Sequence, residues 1–119
     1  MPYVEAKTVI EGDIDEIYEI IKDMQSYPKF MHDLVSVEIM ERGEDYTFSH
    51  WVSNVDGRRI VWTERDTFYE GDKRIAYQQI KGDLKKMEGQ WSLKQMEDGV
   101  EVLLTVDFEF GIPMIAGLL

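Results

Sequence analysis

Three side chains in the middle of this chain could carry chemistry: His50, Glu64 and Asp66. An imidazole titrates near neutral pH, so His50 could serve as a general acid or base, or hold a ligand by a hydrogen bond. It is one of two histidines, and a structural, hydrogen-bonded histidine is the blander reading. Glu64 and Asp66 lie two residues apart in a run with strand-like alternation, so they project from one face. Held together away from water, they would raise each other's pKa; at the mouth of a sheet they would stay solvated, and the mouth is the preferred position. Tyr27 and Trp62 could stack on a planar ligand, although packing of a short helix on a sheet explains Tyr27 equally well. No metal is expected, because His32-Asp33 is distant from His50 in the chain and nothing has zinc or facial-triad spacing. Serine-hydrolase elbows, phosphate loops and dinucleotide-binding glycine motifs are also missing, so no cofactor is expected.

The elements that position these residues follow from periodicity. Tyr3 to Ile10 reads as a strand ending at Glu11-Gly12. Asp13 and Glu16 then resemble a capping box, opening a helix whose apolar stripe is Ile14, Ile17, Tyr18, Ile21 and Met24. Ser26 opens a second short helix with Pro28 in its first turn. Strands are predicted at Val35–Glu41, Asp45–Asn54, Arg58–Tyr69, Lys73–Ile80, Lys86–Gln95 and Val100–Phe110, separated by Gly- and Asp-containing turns. The expectation is an α+β domain: a curved antiparallel sheet of about seven strands with two short helices between strands 1 and 2. Alternation places Tyr46, Phe48, His50 and Val52 on the inner face, followed by Ile60, Trp62, Glu64, Asp66 and Phe68. Ile75, Tyr77, Gln79, Trp91, Leu104, Val106 and Phe108 complete that face. The segment from Gly111 to Leu119 looks like the opening of a C-terminal helix that stops after about two turns, so a longer covering helix is expected to be missing.

Length and composition bound the rest. The 119 residues make one domain, 1–119, with no linker, repeat or low-complexity segment. Thirteen basic against twenty-four acidic residues give a net charge of −11, which repels nucleic acid and anionic membrane surfaces. The lack of cysteine removes disulfides and thiolate chemistry. No apolar run reaches the ~18 residues that suggest a membrane span, and no signal peptide is evident, so the default location is cytoplasmic.

Three stretches carry a family resemblance: Asp23-Met24-Gln25-Ser26-Tyr27-Pro28-Lys29-Phe30, Gly82-Asp83-Leu84-Lys85-Lys86-Met87-Glu88-Gly89-Gln90-Trp91, and Asp107-Phe108-Glu109-Phe110. In this order they resemble the START-like helix-grip (Bet v 1-like) superfamily, nearest its polyketide cyclase/dehydrase and coenzyme Q-binding members and the related ribosome association toxin. The resemblance covers essentially the whole chain. It implies a cavity for an apolar ligand between the curved sheet and the last helix, lined here by Tyr27, Tyr46, Phe48, His50, Trp62, Glu64, Tyr77, Gln79, Trp91, Leu104 and Phe108. It also implies candidate ligands: a polyketide, a lipid or the isoprenoid tail of a quinone. Cyclases of this kind use pocket arginines, and laid on this sequence those fall on Asp66 and near Gln79, while a pocket tyrosine falls on Leu34. Cyclase activity is therefore the alternative to simple binding, with His50, Glu64 and Asp66 as catalytic candidates. A protein-interaction role like that of the toxin is a second alternative, against which the acidic charge argues. If the last helix is lacking, the bare concave face should drive homo-oligomerisation.

Overall fold

The computed structural model describes residues 2–110. Strand β1 (Tyr3–Ile10) leads into helix α1 (Ile14–Lys22) and a 3₁₀ turn (Met24–Lys29). Six strands follow: β2 (Leu34–Arg42), β3 (Tyr46–Val55), β4 (Arg58–Tyr69), β5 (Arg74–Gly82), β6 (Leu84–Met96) and β7 (Gly99–Phe110). They form one antiparallel sheet in the order β1-β7-β6-β5-β4-β3-β2, so the hairpin-linked meander closes by bringing β7 back beside β1. This is the expected helix-grip α+β arrangement, with a curved sheet gripping its helices.

Helix α1 begins where the sequence places it. The Asp13 Oδ2 accepts the Glu16 backbone N–H at 3.0 Å, satisfying one of the free N–H groups of the first turn. Its apolar stripe buries Ile17 and Tyr18 against Ile75, Leu93, Val100 and Val102 on the sheet, and Tyr18 Oη donates to the Arg74 carbonyl at 2.9 Å. The second helix differs from expectation. It starts at Met24, so Pro28 lies near its end rather than in its first turn, and Ser26 donates its hydroxyl to Asp23 Oδ2 at 2.6 Å. Asp23 thus occupies the capping place that the sequence pattern gives to Ser26.

The β3–β4 hairpin decides which side chains face the helices. Asp56 (φ 52°) and Gly57 (φ 78°) both adopt left-handed backbone, as a two-residue turn with two positive-φ positions requires. With Val55 opposite Arg58, the register sets Trp51 opposite Trp62, Ser49 opposite Glu64 and Thr47 opposite Asp66. Opposed residues share a face, so Thr47, Ser49, Trp51 and Ser53 are the buried, inner side of β3. Tyr46, Phe48, His50 and Val52 therefore point outward, contrary to the alternation expected for this strand. The small polar residues take the inner side because they hydrogen-bond there, whereas the outer aromatics cover Arg65, whose guanidinium lies 4.4 Å from the Tyr46 ring and 5.7 Å from that of Phe48. His50 Nδ1 meets Thr63 Oγ1 at 3.0 Å on the same outer side.

Curvature is accommodated at Gly89, which faces Tyr77 on β5 and Val106 on β7. A Cβ there would stand 2.0 Å from the Thr105 carbonyl oxygen and 2.7 Å from Tyr77 Oη, so only glycine permits this close approach. The expected C-terminal helix, Gly111 to Leu119, lies outside the described residues.

Candidate functional site

On the inner face lies an apolar cavity of about 200 Å³, below the ~300–1,000 Å³ usual for ligand pockets. Met24, Tyr27 and Met31 line it from the helical side, and Leu34 and Trp51 from β2 and β3. Trp62 and Glu64 of β4, Tyr77 of β5, Met87 and Trp91 of β6, and Leu104 and Val106 of β7 complete the wall. All three tryptophans of the chain are thus gathered at one place. Trp51 stacks on Trp62 with ring centroids 5.5 Å apart and planes 10° from parallel. Tyr27 meets Trp51 and Trp91 edge-on, at 5.8 and 6.1 Å. Such offset and edge-to-face contacts hold the rings in fixed orientations beside the void.

The polar part of the site is a pair of buried carboxyls. Glu64 is 3% exposed and Asp66 is fully buried, so neither sits in water at a mouth. The reason lies on the neighbouring strand, which supplies their partners. Thr47 and Ser49 donate to Asp66 Oδ2 at 3.0 and 2.6 Å, and Trp51 Nε1 donates to Ser49 Oγ at 2.8 Å. An indole can only donate, so Ser49 must accept from it and direct its own hydrogen to Asp66. Trp62 Nε1 donates to Glu64 Oε1 at 2.8 Å. Burial raises the Glu64 pKa well above the ordinary carboxyl value, a hydrogen bond between its carboxyl and Asp66 and the charge of Asp66 add to the rise, and the Trp62 N–H works against it. Apart from that bond to Glu64, Asp66 Oδ1 is left without a hydrogen-bond partner among the described residues.

The two tyrosines are fixed and neutral. Tyr27 donates its hydroxyl to the Ile21 carbonyl, and Tyr77 reaches across Gly89 to the Thr105 carbonyl. Burial is the main cause that pushes both phenols upward. Gln79 does not line the cavity; its Nε2 donates to the Leu84 carbonyl at 2.7 Å and its Oε1 is buried without a partner among the described residues. Phe108 lies further along the same face, beside Phe110. Among the expected site residues, Tyr27, Trp62, Glu64, Tyr77, Trp91 and Leu104 come together, while Tyr46, Phe48 and His50 stand on the opposite side of the sheet. Trp51, Met24, Met31 and Leu34 join the lining beyond the residues that the sequence marks for it. No lysine or arginine lines the cavity among the described residues, and no cluster of metal-ligating side chains occurs among them.

A curved antiparallel sheet holding an apolar void against two short helical segments defines the helix-grip fold. The match to the polyketide cyclase/dehydrase and lipid transport family model extends over residues 10–119, and the chain belongs to that family. It is 32% identical over 95 residues to the actinorhodin polyketide synthase bifunctional cyclase/dehydratase of Streptomyces coelicolor, covering 77% of this chain but only 30% of that enzyme. A crystal structure of a Thermus thermophilus protein superposes with a TM-score of 0.91 at 27% identity, over 98% of this chain and 80% of the other. The ZhuI aromatase/cyclase of Streptomyces sp. R1128 superposes with a TM-score of 0.85 at 25% identity, over 92% and 68%. The ribosome association toxin RatA of Escherichia coli is 22% identical over 92% of this chain and 70% of the toxin.

Proposed function

We propose that this domain binds an uncharged, hydrophobic small molecule with a flat ring system in the concave cavity. The observation that carries this reading is the convergence of three tryptophans and two tyrosines on one void that no described cation enters. Aromatic faces bind planar apolar ligands by area burial and stacking, and a pocket needs few polar groups to orient what it holds. Membership of a family that includes lipid transport, and similarity to aromatase/cyclases, support the same class of ligand.

A second reading, a cyclase or dehydratase, is favoured by one feature, the buried carboxyl pair. A protonated Glu64 could give its proton to a departing hydroxyl, which leaves as water, and the resulting carboxylate could take the proton lost from the adjacent carbon. The pocket arginines expected of such cyclases are replaced by Asp66 and Gln79, and Arg65 is turned outward, so an enolate would lack a cationic partner.

Native mass spectrometry of gently purified protein, followed by solvent extraction, tests the binding reading. The expected result is a co-purifying neutral molecule in the wild type that is depleted in Trp62→Ala. Retention of the same molecule by Trp62→Ala would place it elsewhere, and an empty protein that also fails to take up aromatic ketones would overturn the reading.

A further inference from the structure

We infer that Glu64 is a neutral carboxylic acid whose O–H points the site toward ligands with an uncharged carbonyl oxygen and away from carboxylates. The inference rests on the ligand-binding reading and adds the chemistry of the group recognised.

Two carboxyls two residues apart on one strand face are both buried, and the cavity lining beside them holds no cation among the described residues. Two bare anions so placed would repel each other in a medium that solvates neither, so the pair keeps one proton. Its position follows from the hydrogen bonds. Asp66 Oδ2 accepts from Thr47 and Ser49, and the Ser49 hydrogen is committed to Asp66 because Trp51 already donates to its oxygen. Two donated hydrogen bonds favour the anion at Asp66. Glu64 receives a single bond, at Oε1 from the Trp62 indole, and it borders the apolar void. The proton therefore rests on Glu64, consistent with the direction of its pKa.

The surroundings contain nothing else that would reverse this. Asp66 on the same strand, Tyr77 on β5 and Tyr27 on the 3₁₀ turn are the titratable groups facing Glu64 among the described residues. Ser49 on β3 and Gln79 on β5 stand opposite it and are uncharged, while β6 and β7 present apolar side chains to the cavity. The phenols are already bonded to backbone carbonyls, so they are not the free donors. In the empty site the Glu64 proton has Asp66 as its hydrogen-bond partner, and Glu64 is the group bordering the void whose proton a ketone or quinone oxygen can compete for. An incoming carboxylate would meet a pair that already carries one negative charge.

Four naphthalene probes test this: 2-acetylnaphthalene, 2-naphthoate, 2-isopropylnaphthalene and 2-naphthylmethylammonium, titrated calorimetrically from acidic to alkaline pH. At neutral pH the ketone should bind about tenfold or more tighter than the naphthoate. Its affinity should fall as rising pH removes the proton. Glu64→Gln, which keeps a neutral donor, should retain the ketone and lose the pH dependence, whereas Glu64→Leu should bind ketone and isopropyl probes alike. Equal or tighter binding of naphthoate, or an ammonium probe that binds best of the four and strengthens with pH, overturns the inference. Infrared spectroscopy supplies a ligand-free arm: a protonated-carboxyl band at neutral pH, lost in Glu64→Gln, is expected, and its absence from the wild type overturns the inference by itself. If no probe binds the wild type, including 2-isopropylnaphthalene, the ligand-binding reading fails and this inference with it; binding of the isopropyl probe without preference for the ketone overturns the inference alone.

Discussion

At the scale of single residues, the behaviour of Glu64 should be visible in stability as well as binding. Its folded-state pKa is raised above the ordinary value of 4.5, so in the window above that value the native state holds a proton that the unfolded chain has released. Stability is then fully present below the unfolded pKa and falls as pH rises toward the folded pKa. Glu64→Gln should flatten this decline and give a higher melting temperature than the wild type at alkaline pH. Parallel pH profiles of wild type and variant, read by thermal unfolding, would contradict the assignment. The sequence shows that Glu64 and Asp66 share a face, but their burial is not legible there. A lone carboxylate on an apolar face is costly, and the groups that make it tolerable, Thr47 and Ser49, come from another strand as inconspicuous hydroxyls.

At the scale of elements, the strands, the first helix and its cap are readable because each has a local cause: alternation, turn glycines and an N-terminal aspartate. The inner face of β3 is not readable in the same way, because both of its faces carry aromatics and hydrophobicity does not choose between them. The turn does choose. A two-residue Asp56-Gly57 connection puts each residue opposite the one equally far from the turn, and Trp51 must then share a face with Trp62. Register is a stronger guide here than polarity. Gly89 allows Tyr77 to cross β6 to the Thr105 carbonyl. Gly89→Ala should destabilise the domain by about 1–3 kcal/mol through overpacking. Denaturant unfolding measures this; a change within a few tenths of a kcal/mol would mean that the sheet bends without the help of that close approach.

At the scale of the whole molecule, the sheet separates two environments. One side gathers Tyr27, Trp51, Trp62, Trp91 and the carboxyl pair against the helices; the other presents His50, Phe48 and Arg65. Composition and pattern announce the charge and the fold class, but which aromatics meet across the sheet depends on strand partners far apart in the chain. The placement of ligand on the inner side is the central claim, and the three indole N–H groups report on it directly. The decisive measurement is a two-dimensional ¹H–¹⁵N NMR titration with 2-acetylnaphthalene, with each indole signal assigned by Trp→Phe substitution. Binding on the inner side gives saturable shifts of the Trp51, Trp62 and Trp91 indole signals, while the amides of Phe48 and His50 stay in place. Shifts confined to Phe48, His50 and their neighbours, with the indoles unmoved, would contradict it.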